Sequence, residues 1–396
     1  MLSRRSFLTT AGILVLGNLL SSCASSNVDL RVLLLQGSIP PQLLKAFRQT
    51  LSSQPSLDFK PQGQLKDLFS LLETWQGKDE NKKGLWQEIP KLPVINPPPP
   101  SLSDFVTLGD VWLADAIKQE LIEPLDLTEV ENWDQLPSRW QQLVKRDQQG
   151  NLQDNGLIWG APYRWGTTLI AYRSDKLDWQ PQDWSDLWDQ RLSDRISMVD
   201  QYREVIGLTL KQLGHSYNTR NLDKVPQLKT ELLALNKQVK YYSSDHYLQP
   251  LLVGDVDVSV GWSNEIIPLI NNNRNVKAVV PTSGTCLWSD IWVKPKAKEG
   301  QTELSQTAKQ WLNFCWQPQA AKLISLFADG ASPAINTIDK NELSPEVINN
   351  PLLFMDEAIF EKCEFLQPLS KEVEDQYINL WKEVRNSEQW TVNSEQ

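Results

Sequence analysis

Histidine is nearly absent from this chain of 396 residues, which has only His215 and His246. Neither stands one helical turn from a second ligand type, so metal catalysis and a histidine-based triad have no support. Neither a GxxxxGK[ST] loop nor a GxGxxG run occurs, which removes the sequence case for nucleotide binding. Cysteine is sparse, four in all and without CxxC spacing. Cys286, Cys315 and Cys363 read as mainly buried thiols that allow at most one disulfide. Positive charge is short as well, 39 Lys and Arg against 49 Asp and Glu, and the net −10 argues against nucleic acid and against docking on anionic lipid.

A hydrophobic run long enough to span a bilayer, about 20 apolar residues, is also missing. The apolar stretch Phe7 to Leu20 is too short and too interrupted, and it follows Arg4-Arg5, so residues 1–22 read as a signal peptide. Leu20-Ser21-Ser22-Cys23 resembles a bacterial lipobox, in which small residues let a peptidase reach the bond before a lipid-modified cysteine. The mature chain is then expected to begin at Cys23, acylated and anchored on an extracytoplasmic membrane face, with 23–28 as a tether. Ser3-Arg4-Arg5-Ser6-Phe7-Leu8 resembles a twin-arginine export signal. Ordinary secretory signals can also carry two arginines, and both routes stay open. Losing Arg4 and Arg5 takes the net charge from −10 to −12, which permits a cationic ligand.

What the mature chain has is an alternating α/β grammar. Leu30 to Leu35 is a strand-length apolar run, and Pro40-Pro41 opens a helix after it. Residues 76–103, with Pro97 to Pro100, read as an exposed insertion. Phe105 to Leu108 is strand-like and leads through Gly109-Asp110 into a helix over 111–121. Strands are expected at 168–172, 195–199, 256–261 and 291–293, and a helix from Glu204 to Leu213 closed by Gly214. The length exceeds what one core supports, so two lobes are expected.

Tryptophan is abundant, 17 residues, and most of them fill cores. Trp165-Gly166-Thr167, Trp262-Ser263-Asn264-Glu265 and Trp288-Ser289-Asp290 share another form, an aromatic at a strand edge followed by polar groups. An indole face attracts cations and a carboxylate accepts charge-assisted hydrogen bonds, so such pairs can hold an amine.

These segments, in this order, resemble the spermidine/putrescine-binding proteins of ABC transporters, and the likeness covers most of residues 29–388. Its most specific stretches are Gly160-Ala161-Pro162-Tyr163-Arg164-Trp165-Gly166, Asp183 to Trp188, Val199 to Val205 leading to Asn218, Gly261-Trp262-Ser263 and Trp288-Ser289-Asp290. The resemblance implies a two-lobed α/β periplasmic-binding-protein fold of type II, with crossover strands and a central ligand cleft. It puts 29–164 plus 290–335 in lobe one, 165–289 plus 336–388 in lobe two, and 389–396 in a polar tail. By the same resemblance Glu204 caps an amine, Trp262 and Trp288 sandwich an aliphatic chain, Asp290 is a second central carboxylate, and Gln367 is a terminal polar contact.

The chain departs from the family pattern in its first lobe. Leu35-Gln36-Gly37-Ser38 carries Gln36 where aromatics are usual, Gly109-Asp110-Val111 exchanges a tyrosine for the Asp110 carboxylate, and Asp200-Gln201 puts an amide where an acidic residue is usual. Three readings follow. The first is a lipid-anchored solute binder without cofactor that delivers a putrescine- or spermidine-like amine to ABC permease subunits. The second is a secreted glycan hydrolase using Glu204 and Asp290, and the third is a solute-binding fold with another ligand or a structural role.

Overall fold

The computed structural model describes residues 28–78, 101–297 and 303–393. The leader, Cys23 and the proline run 97–100 lie outside the described residues. Strand β1 (Leu30–Leu35) pairs in parallel with β2 (Leu57–Gln62) on one side and β3 (Phe105–Gly109) on the other. The helix Pro41–Thr50 joins β1 to β2, with proline in its first turn where no backbone donor is needed. β3 is buried along its whole length, as an inner parallel strand must be. It runs into a 3-10 turn, Asp110–Trp112, and a helix, Leu113–Lys118, so the expected helix over 111–121 is shorter.

β4 (Ile122–Glu123), β5 (Lys145–Arg146) and β6 (Leu157–Ile158) are two-residue pieces. β7 (Ala161–Arg173) is far longer than the strand expected at 168–172 and organises the molecule. β8 (Ile196–Met198), β9 (Val239–Tyr242), β10 (Val258–Trp262) and β11 (Val276–Val279) follow, then β12 (Cys286–Pro295) and the short β13 (Glu364–Phe365). The main order is β2-β1-β3-β12-β7-β10-β8-β9. β7 serves two half-sheets: its residues 161–167 pair with β12 and its residues 168–172 with β10.

Two cores flank this junction. The first gathers Leu30, Phe47, Phe105, Trp292, Trp311 and Phe314, and the second Ile170, Trp184, Met198, Leu208, Val260 and Tyr377. Side chains alternate across β7, so Leu169 and Ala171 face a smaller third core with Leu251 and Ile266. Two expectations are corrected. Ile338, Leu343 and Val347, expected in lobe two, pack into the first core, because the helix Pro345–Ile348 lies against the helix Pro318–Phe327. Residues 389–393 of the expected polar tail continue the helix Lys371–Asn393, which contains no glycine or proline to stop it. Cys286, Cys315 and Cys363 are all buried free thiols.

Candidate functional site

Parallel strands end in backbone groups that the sheet no longer uses, and in open α/β sheets ligands gather at those ends. In the first half-sheet the ends of β1 and β3 present Gln36 and Asp110; in the second, β8 and β10 lead to Gln201 and Trp262. β12 runs antiparallel beside both β3 and β7, setting Asp290 opposite Gly109 on one side and Arg164 on the other.

Glu204 lies in the first turn of the helix Tyr202–Gln212, where the helix dipole favours an acid. It is buried, 5% exposed. Its Oε2 accepts from the Thr168 hydroxyl at 3.0 Å and its Oε1 from the Trp262 indole N–H at 3.3 Å. Burial raises its proton affinity against the opposing pull of those bonds. Trp262 is fixed in turn by its backbone N–H, which donates to the Tyr247 hydroxyl at 3.1 Å, and its ring meets Tyr247 edge-on.

Asp110 is 2% exposed. Its Oδ1 accepts the Ser289 N–H at 2.8 Å, while its Oδ2 is buried with no hydrogen-bond partner in the protein. Burial pushes this carboxyl up to about 7, with the Arg146 charge opposing and Asp290 adding slightly. Arg146 is buried too and spends its donors on the Leu143 and Gly150 carbonyls; burial pushes it down to about 10. Both Asp110 and Glu204 act electrostatically on Cys286, so the two acids converge on the start of β12.

Trp288 lies across Gly166, where a Cβ would fall 2.4 Å from the indole Cζ2 and 2.2 Å from Ser263 Oγ. Only a residue without a side chain lets the ring approach β7 this closely. The Trp288 indole nitrogen is buried and, like Asp110 Oδ2, has no partner in the protein.

Asp290, expected as a second central carboxylate, is bonded to a cation of the chain. Arg164 donates through Nε to its Oδ2 at 2.7 Å and pairs with the same oxygen through Nη2. Both side chains are buried, and Arg164 Nη1 also donates to the Ala328 carbonyl at 2.7 Å. The physical reason is the in-register pairing of β7 and β12, which brings the two side chains face to face.

The remaining expected residues are not in this cluster. Gln36 and Gln201 are exposed, Gln201 donating to Ser244 Oγ at 3.3 Å. Gln367 donates its backbone N–H to Asn218 and accepts from Arg203, and it lines a cavity of about 300 Å³ with Arg139, Arg146 and Glu364. Sequence reasoning gave no role to Arg164, Thr168, Tyr247 or Arg146. Arg164 carried a usable signal: a charge inside an otherwise uncharged strand interior needs a buried partner.

Indoles and buried acids with unpartnered polar atoms beside them suit the binding of a cation. Among the described residues no cluster of His, Cys, Asp and Glu is placed to hold a metal, and no helix is long and apolar enough to cross a membrane. Two α/β cores joined by shared strands, with acids and indoles at the junction, define a two-lobed solute binder. The chain belongs to the bacterial extracellular solute-binding proteins, whose family profile matches residues 102–363. It is 27% identical over 266 residues to the spermidine/putrescine-binding periplasmic protein of Salmonella typhimurium, covering 66% of this chain and 72% of that one. With the putrescine-binding periplasmic protein of Escherichia coli it shares 25% over 303 residues, 72% of this chain and 78% of the other. Among solved structures, the spermidine/putrescine substrate-binding protein of Streptococcus pneumoniae superimposes with a TM-score of 0.71 at 21% identity, over 90% of this chain and 98% of the other. The expected family and two-lobed α/β fold are therefore shown, and the chain is a binding protein of transport, not an enzyme.

Proposed function

We propose that this protein is the extracytoplasmic receptor of an ABC import system, anchored through acyl chains on Cys23, that captures a small amine and presents it to its permease. The observation that supports this reading is the pair of buried acids, Glu204 on the Trp262 indole and Asp110 with one oxygen unpartnered, on opposite sides of the β7–β12 junction. An ammonium supplies what each lacks, a charge-assisted donor in a site of low dielectric, while methylenes bury against indole. Trp288 offers its unpartnered N–H and ring face beside them. Lobe one (29–164 plus 290–335) and lobe two (165–289 with most of the C-terminal helices) close on the ligand by rotation about the shared strands, and the permease recognises the closed form.

The test is a thermal-shift and tryptophan-fluorescence screen of the protein beginning at Cys23 against putrescine, spermidine, amino acids and neutral sugars. Amines are expected to raise the melting temperature and quench fluorescence without turnover. A response confined to sugars or to anions overturns the reading.

A further inference from the structure

Three buried acids are bonded to β7 or β12 or belong to them, and they are not equivalent. Glu204 bonds to the neutral donors Thr168 and Trp262, and Arg203 acts on it through space without bonding to it. Asp110 takes one backbone N–H and leaves an oxygen without a partner; Arg146 acts on it through space without bonding to it. Asp290 alone has a cation bonded to it, the Arg164 guanidinium, whose carbon lies 5.4 Å from the Trp288 ring centroid. A buried carboxylate and an indole that share one cation make a cage for it, and in this chain the cation in that cage is a side chain of the protein. Asp329, the other acid facing Arg164, is half-buried and makes no hydrogen bond to it.

We propose that Arg164 determines specificity by filling the Asp290–Trp288 cation cage with the chain's own guanidinium, so that the cleft takes a ligand with two ammonium groups and gives no site to a third. This rests on the amine reading above and narrows it to a diamine. Buried charges must be matched, and the two acids without a bonded cation, Glu204 and Asp110, match two ammonium groups. Arg164 stays fixed because its three nitrogens are all engaged, by Asp290 and the Ala328 carbonyl.

The experiment is isothermal titration of the protein with putrescine and with spermidine, read as the ratio of the two affinities. In the wild type the third ammonium of spermidine should bring no gain, and the ratio should stay near one. Arg164→Met empties the cage, and spermidine should then gain at least about tenfold over putrescine, the worth of one charge-assisted hydrogen bond. Arg164→Met with Asp290→Asn removes cage and guanidinium together and should return the ratio to near one. Asp290→Asn alone leaves an uncompensated guanidinium and should push the ratio below the wild type, an arm that does not depend on Arg164→Met folding. A wild-type preference for spermidine of about tenfold, or single variants that leave the ratio unmoved, overturns this inference while the amine reading stands. No heat from either amine in the wild type overturns both.

Discussion

Replacing Asp110 by asparagine tests the electrostatics of the site without any ligand. The substitution preserves shape: an amide oxygen can keep the bond from the Ser289 N–H, and the amide nitrogen takes the place of an oxygen that has no partner in the protein. What it removes is a carboxyl that burial carries from 3.8 to about 7. At about 1.4 kcal/mol per tenfold change in proton affinity, ionising Asp110 inside the fold costs about 4 kcal/mol more than in the unfolded chain, as an upper bound. The sign follows from that raised value. Below the unfolded pKa both states are protonated and the group costs nothing; as pH rises toward 7 the unfolded chain ionises first and the fold loses stability. At about pH 8 the whole cost applies and at about pH 5 less than half of it. Asp110→Asn should therefore stabilise the ligand-free protein, by about 2 kcal/mol more at about pH 8 than at about pH 5, as read from urea midpoints. Arg146, Asp290 and Cys286 face the same carboxyl and remain in both proteins, so the difference isolates Asp110. Destabilisation at both pH values, or an equal gain at both, refutes the reasoning.

Three further outcomes are expected. Glu204→Gln should weaken putrescine by about tenfold or more, because a buried ammonium loses its charged partner, worth about 1.5 to 3 kcal/mol; unchanged titration heats would count against a cation site there. Gly166→Ala should displace Trp288 or spread β7 from it, since the new Cβ would lie 2.4 Å from the ring, costing about 1 to 3 kcal/mol and abolishing ligand-dependent fluorescence quenching. Cys23→Ala should move the exported protein from the membrane fraction to the soluble one, as fractionation with a labelled fatty acid would show.

The parts of the fold that read clearly in the sequence were those whose cause is local. The apolar run Leu30–Leu35, the proline-opened helix after it and the helix closed by Gly214 carry their reasons within a few residues. Glu204 and Trp262 were legible as neighbours only through the family likeness, and the structure joins them through an indole hydrogen bond. Arg164 and Asp290 are 126 positions apart, and nothing local says that β7 and β12 will pair in the register that makes them partners. The length of β7 was missed because Pro162 and Gly166 look like breakers. Pro162 sits in the register opposite Ile291, beside the irregularity after Asp290, and Gly166 is demanded by Trp288. Asp183 to Trp188 forms a 3-10 turn held by a reciprocal cap, with Trp184 fully buried and donating to the Gly284 carbonyl.

The ion pair between Arg164 and Asp290 sits on adjacent strands, β7 and β12, that contribute side chains to both cores. Asp110 is tied to β12 through the Ser289 N–H and Glu204 to β7 through the Thr168 hydroxyl, so both acids are held from the same two strands. On the amine reading, a ligand bridging the two acids would therefore lace together the two strands that carry the ion pair.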